Sequence, residues 1–210
     1  MPMPLVFEDS HLVVLNKPAG LLSVPGRGPD KQDCVLSRLQ QSHPSARVVH
    51  RLDMATSGLM VFALHTDSQR RLSMLFAARE VHKTYTAWVH GALPLTDAWQ
   101  TIDQPLIADW PNRPLQKTDP QGKPSVTLWR CLGHHQTHAA SLLALQPLTG
   151  RSHQLRVHLQ SIGHPIIGDA LYAASTEGTH RLMLHASELG FTHPHTPQTL
   201  HWHSPPDWHF

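Results

Sequence analysis

The chain has 210 residues, with 17 lysines and arginines against 15 acidic residues, a net charge of +2 and two cysteines. That length can bury a sizeable core within one domain, while so small a net charge rules out inferring a nucleic-acid partner from bulk charge, and Cys34 and Cys131, far apart and in no CxxC arrangement, suit buried free thiols better than a disulfide scaffold or a zinc site. No run approaches the roughly 18 apolar residues of a membrane span, and MPMPLVFEDS has neither a basic n-region nor an apolar h-region, so the expectation is a cytoplasmic protein with no membrane partner.

In chain order, His11 to Leu15 reads as a short strand ended by the turn Asn16-Lys17-Pro18-Ala19-Gly20. Val35, Leu36 and Leu39 fall at helical spacing. Leu59 to Leu64 is an apolar run of strand length, bounded by Gly58 and His65-Thr66-Asp67, and should be a central strand. Just before it, Arg51 and Asp53 stand two positions apart. An ionised partner lowers a carboxylate's pKa, which would keep Asp53 available as a nucleophile or base near neutral pH. Taken alone, an RxD pair fits a structural ion pair at a strand edge better.

A helix follows from Thr66 or Asp67, either of which can cap it, with Leu72, Leu75 and Phe76 as its buried stripe. Thr84 to Val89 returns to strand character. Residues 91–124 are rich in proline and read as a loop with short strands, able to reach over a substrate. Val126 to Leu132 and Ala139 to Leu145 read as strands joined by Gly133-His134-His135, and Leu155, Leu159 and Ile162 mark a helix opening near Arg151. Short apolar runs from Arg181 onward suit closing strands. The sum is an α+β fold, a mixed, largely antiparallel sheet with packed helices, in one domain over 1–210 without internal repeat or dividing linker.

Arginine outnumbers lysine 12 to 5, and basic residues gather at Arg70/Arg71, Arg79/Lys83, Arg113/Lys117/Lys123 and Arg151/Arg156. Guanidinium groups bind phosphate bidentately and stack on bases, which suits an RNA-reading cleft; a solvated surface explains any one cluster equally well. Nineteen histidines raise the question of metal. His153 and His158 are five apart and diverge on a helix, there is no HExxH, and His201 and His203, which can project from one strand face, would take up metal only adventitiously. Solvated or hydrogen-bonded histidines, and no metal, are the expectation.

Eight blocks taken together carry a resemblance: NKPAGLLSVPG (16–26), HRLDMATSGLMVFAL (50–64), KTYTA (83–87), DWPNRPLQK (109–117), GKPSVT (122–127), TGRSHQLRVHL (149–159), GHPIIGD (163–169) and RLMLHA (181–186). In content and order they resemble the RluA-type pseudouridine synthases, and they cover nearly the whole chain. The resemblance implies an isomerase that detaches uracil from ribose, turns it and rejoins it through C5, with no cofactor. It makes Asp53 the catalytic aspartate. Tyr85 becomes the tyrosine that stacks on the target uracil, Arg151 the basic partner of the carboxylate, Arg51 the residue that enters the RNA stack as the base leaves, and Leu184 the apolar floor under the uracil. Taken without the resemblance, Tyr85 and Leu184 fit ordinary core, Arg151 an exposed helix-start arginine and Arg51 an ion pair. Ser152 stands where threonine is common, a departure of little expected consequence.

Many relatives carry an S4-type RNA-binding domain ahead of the catalytic blocks. Here the first block starts sixteen residues in, so that domain is not expected and the catalytic domain should read its RNA itself; a monomer is the separate expectation. The implied substrates are stem-loops of tRNA and 23S rRNA. The competing reading is an RNA-binding or RNA-folding protein that keeps the fold with incidental turnover. Intact Asp53, Tyr85 and Arg151 favour the enzyme, since a carboxylate facing RNA phosphates weakens binding.

Overall fold

The computed structural model describes residues 4–174 and 179–208. In chain order its elements are β1 (Leu5–Glu8), β2 (Leu12–Lys17), α1 (Val35–Leu39), β3 (Arg47–Val48), β4 (Ser57–Ala63), α2 (Thr66–Ala78), β5 (His82–His90), β6 (Gln100–Asp103), β7 (Leu106–Ala108), β8 (Gln116–Thr118), β9 (Val126–His134), β10 (Ala140–Pro147), α3 (Gln154–Ser161), β11 (Leu184–Thr192) and β12 (Thr199–His203). Antiparallel strands with a few helices give the α+β class expected from the pattern. Among the described residues no helix is long and apolar enough to cross a membrane. The described chain packs as two compact units, one from residues 4–83 and 186–206, the other from 84–174, 179–185 and 207–208.

In the first unit the strands run β1-β2-β4-β11, with β12 beside β11 and β3 beside β4. All seven residues of β4 are buried, the outcome of its unbroken apolar run. β2 pairs with it from Leu12↔Ala63 to Lys17↔Gly58. Gly58 has φ +119, and a Cβ there would lie 2.4 Å from the backbone N and O of Ala186, so only glycine lets β4 and β11 approach so closely. Leu72 of α2 is fully buried in a cluster with Val61, Leu189 and Phe191, while Leu75 and Phe76 pack partly buried against it. The helix starts at Thr66, but neither Thr66 nor Asp67 is its cap: His65 holds that position without a side-chain bond. Asp67 instead accepts from Arg70 at 2.8 Å and Arg71 at 2.8 Å. Both cysteines are buried and free, and Cys34 caps α1 by accepting from the Ser37 amide at 3.3 Å.

The second unit orders β5-β10-β9-β6, all antiparallel, with β7 and β8 as a separate hairpin. β9 runs on through His134, so its connection to β10 begins later than Gly133. The helix expected near Arg151 begins at Gln154, because His153 takes a left-handed conformation (φ 54, ψ 17) immediately before it. The segment between strand and helix is fixed by side chains. Gln154 Oε1 accepts from the Thr149 hydroxyl at 2.7 Å and the Arg151 amide at 3.1 Å, and its Nε2 donates to the Val126 carbonyl at 2.9 Å.

Candidate active site

Asp53 lies in the loop that delivers the chain to β4, half-buried beside the exposed Arg51. The backbone on both sides of it is clamped. On one side the Ser23 hydroxyl donates to the Leu52 carbonyl at 2.6 Å and accepts from the Leu52 amide at 3.1 Å. On the other, the Met54 carbonyl accepts from Lys17 Nζ at 3.0 Å and from the Gly20 amide at 2.8 Å. The Thr56 amide closes the turn on the Asp53 carbonyl at 3.1 Å. Lys17 itself is fully buried, and its ammonium also donates to the carbonyls of Pro18 at 2.9 Å and Leu21 at 2.7 Å. Three carbonyl dipoles around one cation replace its lost hydration and lock the NKPAG turn to the Asp53 loop. Such a clamp fixes the backbone from which the Asp53 side chain projects before any ligand arrives.

His50, which opens the HRLD motif, is a structural residue. Its Nε2 accepts the Val61 amide of β4 at 3.1 Å, which requires the neutral ring with its proton on Nδ1. Burial, with the Lys83 ammonium adding to it, pushes its pKa from 6.5 down to about 3. The ring stacks on Phe76 with centroids 4.6 Å apart, and Lys83, whose own pKa burial lowers, lies over the same Phe76 ring at 5.9 Å.

In the second unit Tyr85 stands half-buried on β5, opposite Leu145 of β10. Leu184 opens β11 and is buried. Arg151 is exposed just ahead of α3, its Nε donating to the Pro124 carbonyl at 3.3 Å. Arg51 and Asp53 therefore share one clamped loop of the first unit, while Tyr85 on β5, Leu184 on β11 and the loop residue Arg151 belong to the second.

The basic cluster Arg151/Arg156 divides. Arg156 is buried and makes a bidentate pair with the fully buried Asp169, at 2.7 and 2.6 Å, so it belongs to the interior and not to an RNA-facing surface. Asp169 Oδ1 also accepts the Tyr172 amide at 3.2 Å, and the Arg156 guanidinium lies 5.1 Å from the centre of the Tyr172 ring. The Tyr172 hydroxyl accepts the Gln116 amide of β8 at 2.8 Å and bonds His153 Nδ1 at 2.7 Å. This chain of contacts, with Leu106, Val157 and Leu115 packed around Tyr172, anchors the β7–β8 hairpin. At the hairpin's tip, in DWPNRP, Trp110 is 68% exposed and the Arg113 guanidinium stacks 3.8 Å from its ring centre. His158 is buried, bonded to the Thr127 hydroxyl at 2.9 Å and the Gln104 carbonyl at 3.0 Å.

Residues 11–161 match the family model described as RNA pseudouridylate synthase. The chain belongs to that family. It is 49% identical over 205 residues to the dual-specificity RNA pseudouridine synthase RluA of Vibrio vulnificus (strain CMCP6), covering 94% of this chain and 79% of the relative. Against the protein of the same name from Escherichia coli (strain K12) the identity is 45% over 206 residues, covering 97% and 93%. Among solved structures, the human RNA pseudouridylate synthase domain containing 1 superposes with a TM-score of 0.80 at 28% identity, over 98% of this chain and 84% of that one. The expected family and α+β fold are thus borne out, and the chain is an RNA pseudouridine synthase, an isomerase.

Lys17, Ser23 and His50 are supports of the Asp53 loop and of β4 that the motifs did not reveal. A signal for Lys17 was available, since the period of two along β2 places it on the same face as the buried Val13 and Leu15. Ser23 and His50 had none, because their partners lie 29 and 11 residues away.

Proposed function

We propose that this synthase converts specific uridines in stem-loops of tRNA and 23S rRNA to pseudouridine, with Asp53 as the catalytic carboxylate. The N1–C1′ bond breaks, the uracil turns, a C5–C1′ bond forms, and the proton lost from C5 is balanced by one gained at N1. A carboxylate must engage the ribose or the base while this happens, and the nucleotide must leave its stack. The observation that carries the assignment is the double clamp on Leu52 and Met54, which holds the backbone around Asp53 from both sides.

Tyr85 stacks on the detached uracil, Leu184 gives it an apolar floor, Arg151 keeps the basic role that the family resemblance assigns it, and Arg51 fills the gap in the RNA stack. The exposed Trp110–Arg113 pair suits loop bases that are already splayed, since every base has a face to stack. In this reading the chain is one catalytic domain acting as a monomer in the cytoplasm, without a cofactor and with no metal in the chemistry. Support for RNA with two kinds of target comes from the dual-specificity relatives.

Mapping pseudouridines in total RNA with and without the protein, followed by turnover of the purified protein on short synthetic hairpins, tests the proposal. The expected result is one tRNA anticodon-loop uridine and one 23S hairpin-loop uridine modified, each reproduced on its isolated hairpin. RNA binding without any new pseudouridine sinks the enzymatic reading for these substrates.

A further inference from the structure

A group of side chains in the first unit takes no part in the site above. Glu188 of β11 stands directly opposite His203 of β12, and Gly190 opposite His201. Residues 201 and 203 share a strand face by the period of two. The glycine matters here: a Cβ at position 190 would lie 2.8 Å from His201 Cδ2, so the imidazole lies across the space that a side chain would fill. His82, the first residue of β5, completes the group.

We propose that His82, Glu188 and His201, with His203 beside the same carboxylate, form a binding site for a divalent transition-metal ion such as zinc. Glu188 Oε2 is 3.2 Å from His82 Nε2 and 4.0 Å from His201 Nε2, and Glu188 Oε1 is 3.7 Å from His203 Nδ1. One donor atom each from His82, Glu188 and His201 all lie within 4.8 Å of one another. Tetrahedral zinc with bonds of about 2.0–2.1 Å spaces its donors roughly 3.3 Å apart. Side-chain rotations of the three solvent-exposed imidazoles would close the difference. Imidazole nitrogens select zinc, copper and nickel over magnesium and calcium. Two imidazole nitrogens and a carboxylate oxygen gathered this closely are donors of the kind zinc takes, and His203 lies beside the same carboxylate. The bound ion ties the end of β12 and the start of β5 to β11, and therefore stabilises the fold by mass action.

The test uses the full chain, freed of metal by chelator and dialysis. Calorimetry with zinc and visible spectroscopy with cobalt report stoichiometry and coordination. The expected result is one ion per chain with micromolar affinity, a tetrahedral cobalt spectrum, and a raised melting temperature on adding zinc. His201→Ala and Glu188→Gln, both at solvent-accessible positions and checked for native circular dichroism, should each weaken binding at least about tenfold. His193→Ala, in the separate cluster where His193 bonds Asp9 at 3.0 Å, should leave it unchanged. Absence of saturable binding below about 1 mM overturns the site. Binding that survives the double variant His82→Ala/His201→Ala, or that falls equally with His193→Ala, overturns it too.

Discussion

The Asp53 loop and the tip of the β7–β8 hairpin solve opposite problems. The first is held by hydrogen bonds to its main chain, from Ser23, Lys17 and Gly20, and leaves one carboxylate half-buried. The second is anchored through Tyr172, which accepts the Gln116 amide, and presents an exposed tryptophan with an arginine stacked on it. On the proposed roles, bond-making at Asp53 would depend on position to a fraction of an ångström, and main-chain clamps would supply that without using up the carboxylate. Recognition of an RNA loop, the role proposed for this tip, would need stacking faces that tolerate different bases, and an exposed aromatic offers those. Each region can be tested once at its working end and once at its anchor.

The largest effect is expected at the working end of the loop. Asp53→Asn keeps the shape of the side chain and removes its charge, so pseudouridine formation should fall at least about a thousandfold while RNA binding and thermal stability persist. Measurable multiple turnover by the purified variant on a hairpin substrate removes Asp53 from the chemistry. Next comes the anchor of the hairpin. Asp169→Ala leaves Arg156 buried and uncompensated and should cost about 3–5 kcal/mol in urea unfolding. Arg151→Ala, five residues away but exposed, should change stability by no more than about 0.5 kcal/mol. Similar losses in the two variants would mean that the buried pair does not anchor the unit.

The contrast between Arg151 and Arg156 also marks how far the sequence could be read. Periodicity located β4, α2 and the paired strands β9 and β10, because an apolar run or stripe reports burial directly. It could not separate two arginines in one cluster, since what separates them is Asp169, a partner 13 residues downstream. The motifs likewise singled out Asp53 as the residue with chemistry, while its clamp was invisible: Ser23 reads as an ordinary loop serine until folding brings Leu52 to it. A lysine reads as surface by default, and Lys17 is buried only because three carbonyls converge on it. The exact start of α3 was not legible for a similar reason, as helical spacing carries no mark of the left-handed His153 that precedes it.

The anchor of the Asp53 loop makes a prediction in pH. His50 is held neutral by burial and by the Val61 amide, with a folded-state pKa of about 3 against an ordinary 6.5. Because the folded value is the lower one, the unfolded chain binds the extra proton across that window. Stability is therefore full above pH 6.5 and falls as the pH drops toward 3, by roughly 2–4 kcal/mol after allowing for solvent screening. Carboxylates titrate in the same range, so the measurement is a difference: urea unfolding of the wild type and of His50→Gln, which retains an acceptor for Val61 but no titrating ring. The wild type should lose more stability than the variant between pH 7 and pH 4. Parallel pH profiles would show that His50 contributes no linked proton.

The smallest effect belongs to the working end of the hairpin. Trp110 is exposed and its neighbour Arg113 lies over its ring, so removing the indole takes away a stacking surface without opening a cavity. Trp110→Ala should weaken hairpin binding by about 1–3 kcal/mol, the usual worth of one stacked base, and should leave the melting temperature and the rate at saturating RNA nearly unchanged. Trp110→Phe, which retains an aromatic face, should recover most of the binding. The loss should be as large for a tRNA hairpin as for an rRNA hairpin, because stacking does not read base identity. A loss confined to one of the two substrates would instead give Trp110 a sequence-reading role. A fall in the saturated rate with unchanged affinity would couple this tip to the chemistry, and the division of labour between the two regions would fail.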